Sequence, residues 1–198
     1  MKTITSFDEL DLTKAYTYAD YLHWKFSERV ELIRGWVRKM SPAPNLGHQT
    51  LSFNLSGAFF NSFRSHSCRV FTAPFDVRLP LKSATKDTTV VQPDLCVICD
   101  EAKLDKRGCN GAPDLIVEIL SPGNGKYDLD TKFKLYEEAG VLEYWIIEPL
   151  ERLILVYALK DEKYVGSKPF LEGENIQSIL FPDLNIAVAD VFYRVGKD

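Results

Sequence analysis

Gly111-Ala112-Pro113-Asp114-Leu115-Ile116-Val117-Glu118-Ile119-Leu120-Ser121-Pro122 is an apolar run of strand length with a carboxylate in its middle. A near-continuous run of Leu, Ile and Val reads as a central strand covered on both faces, and a proline stands at each end. Ser121-Pro122-Gly123-Asn124-Gly125 has the composition of a loop. Beyond it, Tyr127–Ala139 reads as a helix closed by Gly140, and Tyr144–Ile147 as the next strand. This strand–helix–strand unit over Leu115–Ile147 predicts an α/β fold, with a mixed central sheet flanked by helices on both faces.

Working outward, Val90–Cys99 is a second near-continuous apolar run, and Cys68–Thr72 and Phe75–Leu79 are further strand candidates. Leu51, Leu55, Ala58, Phe59 and Ser62 recur at helical spacing, which predicts a helix from Asn45 or Gly47 to about Arg64-Ser65-His66. Arg29–Met40 alternates, and Gly35 suggests a hairpin turn within it. Thr17-Tyr18-Ala19-Asp20 opens a capped helix running to about Lys25. Downstream, Leu153–Leu159 pairs with Tyr144–Ile147 through Glu148-Pro149-Leu150-Glu151. A strand around Tyr164–Phe170 and a short helix at Val188–Phe192 close the chain. Neither a repeat nor a linker interrupts the pattern, so residues 1–198 read as one domain.

The 198 residues are 45% hydrophobic and 26% charged, which excludes disordered and low-complexity classes. A net charge of −4 argues against a nonspecific nucleic-acid coat. The charge is uneven, however. Between Asp20 and Lys86 stand ten Lys or Arg and four acids, a local +6 that leaves −10 for the remainder. Such a chain can present a positive face to a polyanion. Acids in the first nine residues argue against a signal peptide, and the longest apolar run, Leu153–Leu159, is too short for a membrane span. A cytoplasmic protein is the expectation. Cys96-Val97-Ile98-Cys99 has zinc-knuckle spacing without a second ligand pair, so Cys68, Cys96, Cys99 and Cys109 are expected to be buried free thiols.

Two carboxylates stand against apolar strands: Asp94, at the head of Leu95-Cys96-Val97-Ile98-Cys99, and Glu118. A buried carboxylate is costly unless it is paired or holds a metal. Asp114 shares the strand parity of Glu118 but lies roughly 13 Å away along the strand, too far to share one Mg²⁺ easily, and more naturally caps the strand or turn after Pro113. Asp94, on a different strand, can lie opposite Glu118. Asp128, Lys132 and Tyr136 are spaced by four and share a helix face. That face is either solvated or turned to the acids, where a lysine could position water or offset phosphate charge. Glu31 is either a third carboxylate or a surface residue. His48 and Gln49 either cap the second helix or, for His48, contact phosphate.

Several segments resemble the Uma-two family of endonucleases. They are Glu31-Leu32-Ile33-Arg34-Gly35, Met40-Ser41-Pro42, His48-Gln49, Val91-Gln92-Pro93-Asp94-Leu95, Gly111–Pro122, and Asp128 through Glu143-Tyr144-Trp145. The resemblance covers about residues 17 to 193. It implies the PD-(D/E)XK, restriction-endonuclease-like fold, with Asp94 and Glu118 as catalytic and metal-binding acids and Glu31 as a further metal-binding acid. Mg²⁺ or Mn²⁺ is the implied cofactor and nucleic acid, DNA before RNA, the implied substrate. The superfamily pattern places a lysine two residues after the second acid, where this chain has Leu120. The resemblance implies that Lys132 replaces it from the following helix. Arg34, Arg38, His48 and Tyr136 are candidate nucleic-acid contacts, with Arg64 and Arg78 also expected to hold the backbone. A homodimer is expected, with the aromatic hairpin Tyr144–Tyr157 as a candidate surface or, equally, as core. The alternative function is a binding or assembly protein on a nuclease scaffold.

Overall fold

The computed structural model describes residues 3–40, 45–82, 87–121 and 125–196, with the backbone alone for 125–129. Ser41 and Pro42, Lys86 and the side chain of Asp128 therefore lie outside the described residues. In chain order the strands are β1 (Val30–Ile33), β2 (Trp36–Lys39), β3 (Arg69–Thr72), β4 (Val77–Arg78), β5 (Val90–Val91), β6 (Leu95–Ile98), β7 (Leu104–Asp105) and β8 (Gly108–Asn110). There follow β9 (Leu115–Ile119), β10 (Glu143–Glu148), β11 (Leu153–Lys160), β12 (Lys163–Gly166), β13 (Asn175–Gln177) and β14 (Asn185–Ala187). The α-helices are α1 (Tyr18–Tyr21), α2 (Leu46–Phe63), α3 (Gly125–Ala139) and α4 (Val188–Val191).

The central sheet has the order β12-β11-β10-β9-β6-β3. It is mixed: β9 and β10 run parallel across α3, and the other neighbours are antiparallel. Its side chains alternate between two cores, as the pleat requires. Leu95, Val97, Leu115, Val117, Trp145 and Ile147 meet Leu51, Leu55, Phe59 and Phe63 of α2 on one face. Cys96, Ile98, Ile116, Tyr144 and Ile146 meet Leu135 and Tyr136 of α3 on the other.

A second six-stranded sheet, β2-β1-β5-β4-β8-β7, supplies Ile33, Val77, Val91 and Cys109 to that second core. The expected strand Val90–Cys99 is in fact two strands in different sheets. Pro93 has no N–H to give to a ladder, and the chain crosses from one sheet to the other through Gln92-Pro93-Asp94. The β1–β2 turn is the expected hairpin, closed by Arg34 and Gly35, both at positive φ. A Cβ on Gly35 would stand 2.9 Å from that of Ala15, so this turn also needs glycine for space.

Expectations for the cysteines and for two element ends are corrected. Cys68 and Cys99 form a disulfide, and only Cys96 and Cys109 are buried free thiols. The antiparallel pairing of Arg69 with Ile98 sets Cys68 and Cys99 at the next register position, a relation that local spacing does not reveal. Of the two readings of the Tyr144–Tyr157 hairpin, core is the one observed, since Tyr144, Trp145, Ile146, Ile147, Ile154 and Val156 are all buried. The first helix ends at Tyr21 and the strand after Tyr164 at Gly166, with Phe170 making only an isolated bridge to Ile154.

Candidate active site

Glu118 has the strand parity of Ile116 and therefore points into the core that α3 covers. The β6–β9 register pairs Leu95 with Val117 and Cys96 with Ile116, so one further step sets Asp94 opposite Glu118. On β1, Ile33 faces this same core while Leu32 faces the opposite cluster, and Glu31 shares the parity of Ile33. Carboxylates from two sheets thus converge where α3 crosses them.

Lys132 of α3 fills the space between them. Its Nζ donates to Glu118 Oε1 at 2.9 Å and lies 3.1 Å from Glu31 Oε1. The Tyr136 hydroxyl, one turn on, donates to the same Glu118 oxygen at 2.6 Å. Glu31, Glu118, Lys132 and Tyr136 are all buried. Glu31 Oε1 also accepts the Gln92 N–H at 3.1 Å, which ties it to the crossover segment. Asp94 is fixed at both oxygens. Oδ2 accepts the Ile119 N–H at 2.8 Å, and Oδ1 lies 3.4 Å from His48 Nε2. His48 stands in the first turn of α2, its own N–H capped by Asn45 Oδ1. Its Nδ1 is buried with no hydrogen-bond partner among the described residues.

Burial pushes the Glu118 carboxyl up to about 7, opposed by Lys132 and the Tyr136 hydroxyl and reinforced by the Asp94 and Glu31 charges. Burial, with Glu118 and Glu31 adding, holds the Tyr136 phenol well above its ordinary value, so it remains a donor. Burial works against a charged His48, but the Asp94 carboxylate, helped by Glu118, outweighs it and raises the imidazole above its ordinary value. Among the described residues no three His, Cys, Asp or Glu side chains cluster as a ready-made ion site.

The sequence-predicted residues divide accordingly. Asp94, Glu118, Lys132, Glu31 and His48 come together. Tyr136, a candidate nucleic-acid contact in the sequence, is fully buried and donates to Glu118. Arg78 is also buried, donating to Cys109 O and pairing with Asp105 rather than standing ready for a backbone. Arg34 is exposed but ion-paired to Glu138 of α3. Arg38 and Arg64 are exposed. Asp114, expected to cap the strand or turn after Pro113, accepts instead the Cys99 N–H at 2.8 Å, just past the end of β6. One buried carboxylate escaped notice: Glu143 at the head of β10. It accepts from Trp145 Nε1, Ser178 Oγ and the N–H groups of Ile179 and Leu180. Four donors explain it as structural, and the same search for acids in apolar strands finds it.

Comparison with known proteins bears on the family and the fold. Residues 18–189 match the model of the Uma2 family, described as "Putative restriction endonuclease". Two proteins of Synechocystis sp. are similar over most of their length. The uncharacterized protein slr1290 is 27% identical over 179 residues, covering 88% of this chain and 90% of its own. The uncharacterized protein sll1609 is 28% identical over 174 residues, covering 83% and 92%. The crystal structure of a "putative nuclease belonging to DUF820" from Anabaena variabilis superposes with a TM-score of 0.69 at 19% identity, covering 89% of this chain and 97% of that one. This last likeness concerns the fold.

Proposed function

The chain belongs to the Uma2 family, and from that premise we propose that it is a divalent-metal-dependent endonuclease hydrolysing phosphodiester bonds, in DNA before RNA. The observation that carries the reading is the Lys132 amine, held 2.9 Å from Glu118 and 3.1 Å from Glu31. We read it as the counterpart of the lysine missing at Leu120. The donor set also suits a hard cation. Mg²⁺ commonly uses one or two carboxylates and completes its shell with water and phosphate, so Asp94 and Glu118 suffice without a third ligand. These two would hold Mg²⁺ or Mn²⁺. A bound ion would offset charge on the phosphate and lower the pKa of its water.

The protein's own groups prepare that chemistry. The Ile119 N–H and His48 orient Asp94; Lys132 and Tyr136 orient Glu118. Glu31, whose contacts go to Lys132 and the Gln92 amide, holds the lysine in place. The Lys132 ammonium, held between two carboxylates, brings a positive charge to the reacting phosphate. His48 and Arg38 are the side chains we assign to the nucleic acid.

The test is cleavage of single- and double-stranded DNA and RNA with Mg²⁺ or Mn²⁺ and with chelator. Metal-dependent cleavage that Glu118→Gln abolishes is expected. Salt-sensitive binding without cleavage of any substrate would give the chain to the binding or assembly reading.

A further inference from the structure

Helix α2 is apolar on both sides. Its inner face, Leu51, Leu55, Phe59 and Phe63, is buried against the central sheet. Its outer face carries Leu46, Phe53 and Phe60, which are 85%, 79% and 65% exposed. These three stand seven residues apart, and Thr50, Gly57 and Arg64 fill the same stripe at intervals of three and four. An apolar stripe of this length left exposed, and not a single scattered side chain, marks an interaction site. We propose that the outer face of α2 is a homodimer interface, in which two copies of α2 pack antiparallel about a two-fold axis near Gly57.

Three features select a second copy as the occupant. First, the stripe is self-complementary. A Cβ built on Gly57 meets nothing within 4 Å, so a notch lies between Phe53 and Phe60. Antiparallel pairing about Gly57 sets Phe53 of each copy beside Phe60 of the other, as a two-fold interface requires. A groove of about 420 Å³, lined by Ser56, Phe60, Phe63, Cys68 and Val70, adjoins Phe60 and can receive the incoming ring.

Second, α2 from Leu46 to Phe63 contains no Asp, Glu, Lys or Arg, so two copies meet without like-charge repulsion. Arg64 of each copy would lie about 21 Å from its equivalent at 1.5 Å per residue. Third, the area is sufficient. At about 200 Å² for an exposed aromatic side chain, the three anchors offer about 400 Å² per copy. The notch, the groove and the Thr50 and Arg64 stems bring the pair to about 1,200 Å², the lower bound of specific interfaces. This inference does not depend on the site cutting anything.

The experiment is sedimentation velocity on the full chain at about 1–100 µM, a range in which even a modest interface is populated. The wild type should dimerise. Phe53→Glu with Phe60→Glu should weaken the dimer at least about 100-fold without lowering the melting temperature of the dilute protein, because both side chains face outward. Gly57→Cys should form a disulfide-linked dimer under mild oxidation, whereas Ser62→Cys, exposed off the stripe, should not. A wild type monomeric at about 100 µM, or a dimer that survives the double substitution, overturns the proposal. In the first case the stripe awaits a different protein, and in the second the dimer uses another face.

Discussion

At the residue scale, the site depends on one amine shared by two buried carboxylates. Removing one partner of a buried ion pair leaves uncompensated charge, at a cost of about 3–5 kcal/mol. Lys132→Ala should therefore lose about that much stability at pH 8 in urea unfolding, because Glu31 and Glu118 then face each other without a cation. Glu118→Gln should lose much less, since Lys132 keeps Glu31 and Tyr136 keeps an oxygen acceptor. The raised Glu118 carboxyl gives a pH dependence with a defined sign. Between its ordinary value and about 7 the folded chain holds this proton more tightly than the unfolded chain does. Its contribution to stability therefore falls as pH rises through that window. Metal binding requires the ionised form, so cleavage should rise with pH to a plateau above about 7. Lys132→Met removes the nearest positive charge and should move that rise to higher pH while lowering the plateau, as read from single-turnover rates across pH 5–9. A rise that stays in place would sever Lys132 from Glu118 in function.

Among the elements, β3 and β6 are joined covalently as well as by their ladder. The Cys68–Cys99 bond spans 31 residues, and closing such a loop in the unfolded chain is worth about 3–4 kcal/mol in the chain-entropy account. Thiol titration in denaturant without reductant should count two thiols, Cys96 and Cys109, and four after reduction. Cys68→Ser with Cys99→Ser should lower the melting temperature by about 6–16 °C, at about 2–4 °C per kcal/mol for a chain of this size. Four thiols before reduction would return the cysteines to the free state that their local spacing suggested. The reason this bond was illegible is physical. Cys96 and Cys99 are neighbours in sequence and fall in opposite cores, whereas Cys68 and Cys99 meet only through strand register. The same distinction separates what else could and could not be read. The unit β9–α3–β10 is visible because local periodicity and caps define it, and with it the face bearing Lys132. The second sheet is legible only in pieces: the β1–β2 hairpin, Phe75–Leu79 and the start of Val90–Cys99 read as strands, but their assembly into a sheet of their own depends on pairing between distant segments. Asp94 and Glu118 could be found as isolated acids in apolar runs. That Tyr136 turns inward to Glu118, and that Arg78 pairs with Asp105, depend on packing that the sequence does not display.

For the whole molecule, the question is which part of the positive charge between Asp20 and Lys86 meets a polyanion. Arg78 belongs to the interior, and Arg34 is tied to Glu138. The β1–β2 register sets Arg38 directly opposite Glu31, and residues directly opposite in an antiparallel pair share a face. Arg38 is thus an exposed cation on the sheet face that carries a site carboxylate. Each phosphate neutralised by such a side chain contributes about −0.9 to the slope of log affinity against log salt on duplex DNA. Arg38→Ala should weaken duplex binding and make that slope shallower by about 0.9, with little change in melting temperature. Arg78→Ala should do the reverse. It strands Asp105 and the buried Cys109 carbonyl, so it should lower the melting temperature while leaving the salt slope of the folded protein unchanged. Fluorescence anisotropy over a range of NaCl concentrations, paired with thermal unfolding of each variant, separates the two. If Arg38→Ala leaves the slope intact, the nucleic acid does not lie along β2. Positive charge would then have to come from Arg64 and Arg69, exposed beside the α2 groove, where the dimer and the substrate would compete for one surface.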